Sequence, residues 1–135
     1  MISKTKIAVL GMGGVGGYYG GKLAAQYSMS GNFEIIFIAK GENEKVIREK
    51  GLHLITHADD RFIHPDLVSN EAEKIGPLDI LLCCTKAYDL GEALQSISQC
   101  IHENTIIIPL LNGVDNPERI EKLFPHTRTW SGCVY

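Results

Sequence analysis

Hydrophobic and polar positions follow two rhythms along this chain. Short, nearly continuous apolar runs cover 6–10, 33–39, 78–85 and 105–111, and longer stretches of helical period lie between them. Each run is too short for a buried helix and stops at a glycine or a polar residue, so each predicts a strand covered on both faces. Helices are predicted over 14–27, 43–50, 90–101 and 117–124. Gly51 supplies the stop of the second helix. Asn116 is expected to cap the last, with Pro117 at its first position. In the first helix Val15, Tyr19, Leu23 and Tyr27 recur at helical spacing and predict the apolar stripe. Residues 52–56 and 61–63 read as a small antiparallel hairpin across 57–60, 66–69 as a further short strand, and 128–135 as a last strand.

Strands and helices that alternate in this way define an α/β fold, a Rossmann-type doubly wound and mostly parallel sheet. One domain is expected over residues 1–135, with no internal repeat, low-complexity tract or linker. Tyr135 falls inside the last predicted strand, where the sheet is still being built. The expectation is therefore a fragment of a longer protein.

Between the first strand and the first helix stands Gly11-Met12-Gly13-Gly14-Val15-Gly16, which fits G-x-G-x-x-G. Strand, glycine turn and helix in this order predict a dinucleotide site. Gly11 permits the tight turn, Gly13 lets backbone approach a phosphate, and Gly16 lets the helix lie close on the strand. Unpaired N–H groups at the helix start favour the anion. Gly13, Gly17 and Gly21, and likewise Gly16 and Gly20, are four apart and mark faces where neighbours can approach closely.

Composition narrows the choice without redirecting it. The 135 residues carry 44% hydrophobic and 21% charged positions and a net charge of -3. Nothing suggests a nucleic-acid partner or an acidic membrane surface. The apolar runs are far shorter than a membrane span, and the first residues lack a secretory leader. Cys83, Cys84, Cys100 and Cys133 show no zinc or C-x-x-C spacing, so no metal site is expected. Reduced thiols and a cytoplasmic location are expected. The adjacent Cys83 and Cys84 face opposite ways on a strand.

Cofactor choice is usually made at the tip of the second strand. Ala39-Lys40-Gly41 stands there, with a cation where an NAD site has an acid, which favours the 2′-phosphate of NADP. An ordinary solvated lysine with Glu42 reaching the ribose remains the alternative. Two further segments follow strands at the same sheet edge. Lys86 is a candidate contact to a phosphate, a ribose or a substrate oxygen. Asn112 can donate and accept hydrogen bonds at a nicotinamide ribose or a ketone oxygen, with Gly113 keeping the loop close. Spacing alone also allows a solvated loop lysine and a plain turn.

Taken in order, the glycine loop, Ala39-Lys40-Gly41, Lys50-Gly51-Leu52, Cys84-Thr85-Lys86-Ala87-Tyr88-Asp89 and Leu111-Asn112-Gly113-Val114 resemble the N-terminal domain of the ketopantoate reductase (2-dehydropantoate 2-reductase) family. The resemblance spans essentially the whole chain and is most specific at Thr85–Asp89 and Leu111–Gly113. It implies NADPH-dependent reduction of ketopantoate to pantoate, toward pantothenate and coenzyme A. It implies that Gly11, Gly13, Gly14 and Gly16, with Met12 and Val15 among them, form the pyrophosphate loop. Lys40 would read the 2′-phosphate, where arginine is common in the family. Lys86, with Thr85 beside it, would contact the cofactor. Asn112, with Gly113, would contact the nicotinamide end, and Asn112 the substrate as well.

The same resemblance places the general-acid lysine in a second, helical domain. No catalytic residue is therefore expected in this chain, and the chain alone is expected to be inactive. Two other readings stay open: an NADP-dependent dehydrogenase of another 2-keto or hydroxy acid, and a non-catalytic nucleotide-sensing Rossmann module. The second of these predicts an acid at the second strand tip. The expected partner is a small 2-keto acid, and pairing between copies through an exposed sheet edge is left open.

Overall fold

A computed structural model describes residues 3–58, 60–111 and 115–130. The chain runs β1 (Thr5–Leu10), α1 (Gly14–Tyr27), β2 (Phe33–Ile38), α2 (Gly41–Lys50), β3 (Leu52–Ile55), β4 (Asp60–Ile63), β5 (Leu67–Ser69), α3 (Ala72–Ile75), β6 (Ile80–Cys83), α4 (Leu90–Ser96), β7 (Ile106–Pro109), α5 (Asn116–Leu123) and β8 (Arg128–Thr129). Six strands form one sheet in the order β5-β2-β1-β6-β7-β8, and every neighbouring pair is parallel. The sheet grows outward from β1 in both directions, which is the doubly wound arrangement. β3 and β4 pair separately as the expected antiparallel hairpin.

Register positions everything that follows. Ser69 pairs with Ile38, Ile38 with Leu10, Leu10 with Cys83, and Cys83 with Pro109. The carboxyl ends of five strands therefore lie in one row. The ladder continues one residue further, where Gly11 N–H donates to Ile38 O (3.2 Å), Cys84 N–H to Leu10 O (2.8 Å) and Leu110 N–H to Cys83 O (2.8 Å).

Alternation along the strands sorts side chains onto two faces. Ala8, Leu10, Ile36, Ile38, Leu81, Cys83 and Ile107 join a core with Ile75, Leu90, Leu94, Ile97 and Ile120, so α3, α4 and α5 cover that face. Val9, Ile35, Phe37 and Val68 join Ala24, Ile47, Leu54 and Ile63, so α1, α2 and the hairpin cover the other. Cys83 lies in the first core and Cys84 packs against the second, as adjacent strand positions require.

The face that α1 buries is not the predicted one. Val15 and Leu23 are half-buried, and Tyr19 and Tyr27 are 38% and 37% exposed. The buried positions are Gly16, Gly20, Gly21 and Ala24. A Cβ on Gly20 would lie 3.1 Å from both Met12 Cε and Phe37 Cε1, and one on Gly21 would lie 3.1 Å from Leu52 and Leu54 methyls. Close approach of the helix to the sheet outweighs the residue-by-residue apolar periodicity, because only glycine leaves room for it.

Other boundaries also move. α2 begins at Gly41, two residues before the predicted start. The 90–101 helix ends as α at Ser96 and tightens into a 3₁₀ turn over Ser98–Cys100. β6 and β7 are four residues each, shorter than their apolar runs. The α3 turn was not legible in the pattern. Asn116 is not the cap of α5. Asp115 holds that position, while Asn116 is the first helical residue, is buried, and donates from Nδ2 to Leu111 O (3.3 Å). Part of the predicted last strand, residues 131–135, lies outside the described residues, as does Asp59 of the hairpin turn.

A Cβ on Gly16 would stand 1.8 Å from Gly11 O, a collision no side chain can relieve, whereas nothing lies within 4 Å of one on Gly13. Urea unfolding of Gly16→Ala is expected to show a loss of about 3 kcal/mol or more. Gly13→Ala is expected to cost only about 1 kcal/mol, the loss of a favourable N-cap residue. Similar losses for the two would contradict this packing.

Candidate functional site

The row of strand ends opens into a cleft of about 550 Å³. The first residues beyond each strand, Asn70, Ala39, Gly11, Cys84 and Leu110, all line it. It is the crevice outside the carboxyl ends of a doubly wound sheet, spanning the switch point between β1 and β6.

The glycine loop forms its centre. Gly11 turns the chain out of β1 at φ +92°, with the Thr85 backbone nitrogen 3.0 Å from where its Cβ would be. Gly13, Gly14 and Val15 line the cleft, and Gly13 and Gly14 are exposed to it. Met12 lines it too, while its Cε packs beneath Gly20. Gly16 does not line the cleft. It sits behind the turn against the Gly11 carbonyl and lets α1 begin where it does. Gly13 is the N-cap of α1, with no side-chain cap and no acid in the first turn. The first N–H groups of a 14-residue helix therefore face the cleft without internal partners or a nearby carboxylate.

The walls carry the charge. Lys40, the N-cap of α2, and Asn43 on its first turn line one end, together with Asn70 beyond β5. Glu42 does not line the cleft. On the opposite wall stand Thr85, Lys86, Asp89 and Glu92. Thr85 Oγ1 is buried and has no hydrogen-bond partner among the described residues. Cys84 lies between the loop and this wall, and burial pushes its thiol up to about 11. It is a neutral thiol at pH 7 and not an activated nucleophile. Cys83, inside the core, is raised further by burial.

Asn112 and Gly113, the remaining predicted contacts, lie outside the described residues, as does Cys133. Their flank is placed: Leu110 and Leu111 line the cleft end beyond β7, and Asn116 holds the Leu111 carbonyl. Asn43, Asn70, Glu92, Ala93 and Ser96 were not singled out from the sequence. Asn70 follows directly on a predicted strand, so the strand-end rule applied to that strand would have found it. The others depend on how α2 and α4 turn toward the cleft.

These features fit a dinucleotide. An open glycine loop over an uncapped helix end suits a pyrophosphate, two lysines suit further phosphate, and an orphan hydroxyl suits a polar edge. Among the described residues no group of three or more His, Cys, Asp or Glu is placed to hold a metal ion, and no helix is long and apolar enough to cross a membrane.

Fold and cleft thus define a doubly wound α/β domain with an open cleft at its strand ends. A family model described as ketopantoate reductase PanE/ApbA matches residues 7–135, and the chain belongs to that family. It is 31% identical over 130 residues to the uncharacterized oxidoreductase YkpB of Bacillus subtilis (strain 168), covering 96% of this chain and 41% of that protein. It superimposes on the crystal structure of 2-dehydropantoate 2-reductase from Porphyromonas gingivalis W83 with TM-score 0.87 and 42% identity, covering 98% of this chain and 47% of that one. A ternary structure of D-mandelate dehydrogenase with NADH and anilino(oxo)acetate gives TM-score 0.80 and 30% identity, covering 96% and 40%. The chain spans less than half the length of these relatives.

The Cys84 environment gives a pH signature. The rate of Cys84 labelling by iodoacetamide, followed by peptide mass mapping, is expected to keep rising through pH 9 and to reach half its maximum only near pH 11. A half-maximum near pH 9, as for an ordinary thiol, would contradict the buried placement.

Proposed function

We propose that this chain is the NADPH-binding part of a cytoplasmic oxidoreductase that reduces ketopantoate to pantoate. The observation that carries the cofactor choice is the tip of β2. Lys40 lines the cleft there, while Glu42, the acid that would favour an unphosphorylated ribose, does not. Family membership supports the reaction class, and the likeness to the Porphyromonas gingivalis 2-dehydropantoate 2-reductase supports the substrate. The free thiols Cys83, Cys84 and Cys100 accord with a reducing compartment.

When bound, the reduced nicotinamide supplies a hydride to the keto carbon. The chain's own residues bind and orient. Backbone N–H groups at Gly13 and Gly14 hold the pyrophosphate, with Gly11, Met12 and Val15 shaping the loop and Gly16 seating the helix behind it. Lys40 neutralises the 2′-phosphate. Lys86 and the Thr85 hydroxyl steady the cofactor along the β6 wall. Asn112 is assigned to the nicotinamide ribose and the substrate keto oxygen, with Gly113 next to it in sequence. The proton for the developing alkoxide is assigned to a lysine in a helical domain beyond this chain, so the chain alone binds cofactor without turnover.

A second reading has its own support. D-mandelate dehydrogenase, with NADH, shares this fold at 30% identity, which favours a related 2-hydroxy acid dehydrogenase. Calorimetric titration with NADPH and NADH separates the two. NADPH is expected to bind about ten- to hundredfold more tightly, the worth of one charge-assisted contact. Lys40→Glu is expected to abolish that preference. Equal binding of both by the parent chain would overturn the NADP assignment.

A further inference from the structure

We infer that α4 reads the base of the cofactor: Glu92 and Ser96 present an acceptor-only edge that selects an adenine amino group over a 6-oxo purine. This rests on the dinucleotide reading of the cleft.

Placement comes first. Strand order sets the two ends of the cleft, with Leu110 and Leu111 beyond β7 at one and Asn70 beyond β5 at the other. The far end of α4 belongs with Asn70. The 3₁₀ turn that follows α4 packs on α3, and Cys100 Sγ–H donates to Ala72 O at 3.4 Å. While α4 itself also packs on α5, the turn after it and the segment after β5 are therefore tied together through α3. Between them lies a slot whose apolar lining comes from Ile38 and Ala39 at the β2 tip and from Ala93 on α4. That is the lining a flat heteroaromatic base needs, next to Lys40 at the same strand tip.

Polarity comes second. Glu92, Ala93 and Ser96 line the cleft together. Glu92 and Ser96 are four apart, one above the other on one face of α4, with Ala93 beside them. The Glu92 carboxylate is an acceptor only. Ser96 has a single proton, and Oγ–H already donates to Ala93 O at 2.6 Å, so toward the cleft it too offers only lone pairs. Neither the Glu92 carboxylate nor Asn70 is held by a side-chain bond elsewhere among the described residues. A ligand edge facing this wall must bring donors. The exocyclic amino group of adenine brings two, whereas a 6-oxo purine brings an acceptor and repels. Asn70, which also lines the cleft, carries both donor and acceptor and can meet a ring nitrogen.

The test compares NADPH with reduced nicotinamide hypoxanthine dinucleotide phosphate by calorimetry, using the whole chain. The parent is expected to prefer NADPH by about ten- to hundredfold. Glu92→Gln, whose amide can donate to an oxo group, is expected to bring the two within about threefold. Ser96→Ala, a change that favours the helix, is expected to narrow the preference by less. Both positions are exposed on α4, and circular dichroism checks that the variants fold. Equal binding of the two dinucleotides by the parent, or an undiminished preference in Glu92→Gln, overturns the base assignment alone. Failure of both dinucleotides to bind the parent overturns the cofactor reading, and this inference with it.

Discussion

Parallel strand register is the constraint on which the rest depends. Ser69, Ile38, Leu10, Cys83 and Pro109 are locked in one row by ladder hydrogen bonds, so whatever follows each strand arrives at the same edge. Five residues distant in sequence thereby become neighbours around one cleft. A slip of one residue in any pair would send a buried face to the wrong side of the sheet, which ties the geometry of the site to the energetics of the core. The precision of the cleft is that of the sheet, not of its loops.

On this frame the two sides of the cleft are built by opposite means. α1 approaches through the absence of side chains: Gly16, Gly20 and Gly21 let its backbone lie against the Gly11 carbonyl, Phe37 and the hairpin leucines. Each glycine inside a helix costs about 1 kcal/mol of helix propensity relative to alanine. What is gained is a helix start placed directly over the β1 turn, with N–H groups aimed outward. The α2 and α4 walls instead bring polar side chains to the rim, and Lys40, Asn43, Asn70, Lys86, Asp89 and Glu92 line the cleft without a salt bridge to one another. Elsewhere the charged groups pair among themselves, as Arg48 with Glu44, Lys74 with Glu71 and His53 with Asp60.

Membership in the ketopantoate reductase PanE/ApbA family accords with this division. The 2-dehydropantoate 2-reductase and D-mandelate dehydrogenase relatives share the same doubly wound frame, and the chain spans less than half of each. The frame offers an open cleft, and the side chains around it, more than the fold, decide which ligand it takes.

Much of this architecture is legible in the residues alone. Apolar runs mark the strands, Gly51 marks a helix stop, and the glycine loop between a strand and a helix marks the centre of the cleft, because those signals are local and rest on backbone geometry. Lys40 and Lys86 are legible too, since each follows a strand and strand ends converge. The buried face of α1 is legible through its glycines, of which Gly16, Gly20 and Gly21 are buried, and not through its apolar stripe. Val15, Tyr19, Leu23 and Tyr27 have the helical period, yet the glycine face is the one buried, because packing distance to the sheet is a property of two elements and not of one. Asn116 looks like a cap and serves instead as a buried clamp on Leu111, since a neighbouring loop supplies a better partner. Glu92 and Ser96 belong to no motif, and only the fold brings them to the wall of the cleft. Most elements and the glycine loop follow from short-range sterics and periodicity in the residues alone. Which faces meet, and which polar groups are left to face a ligand, was decided by tertiary packing.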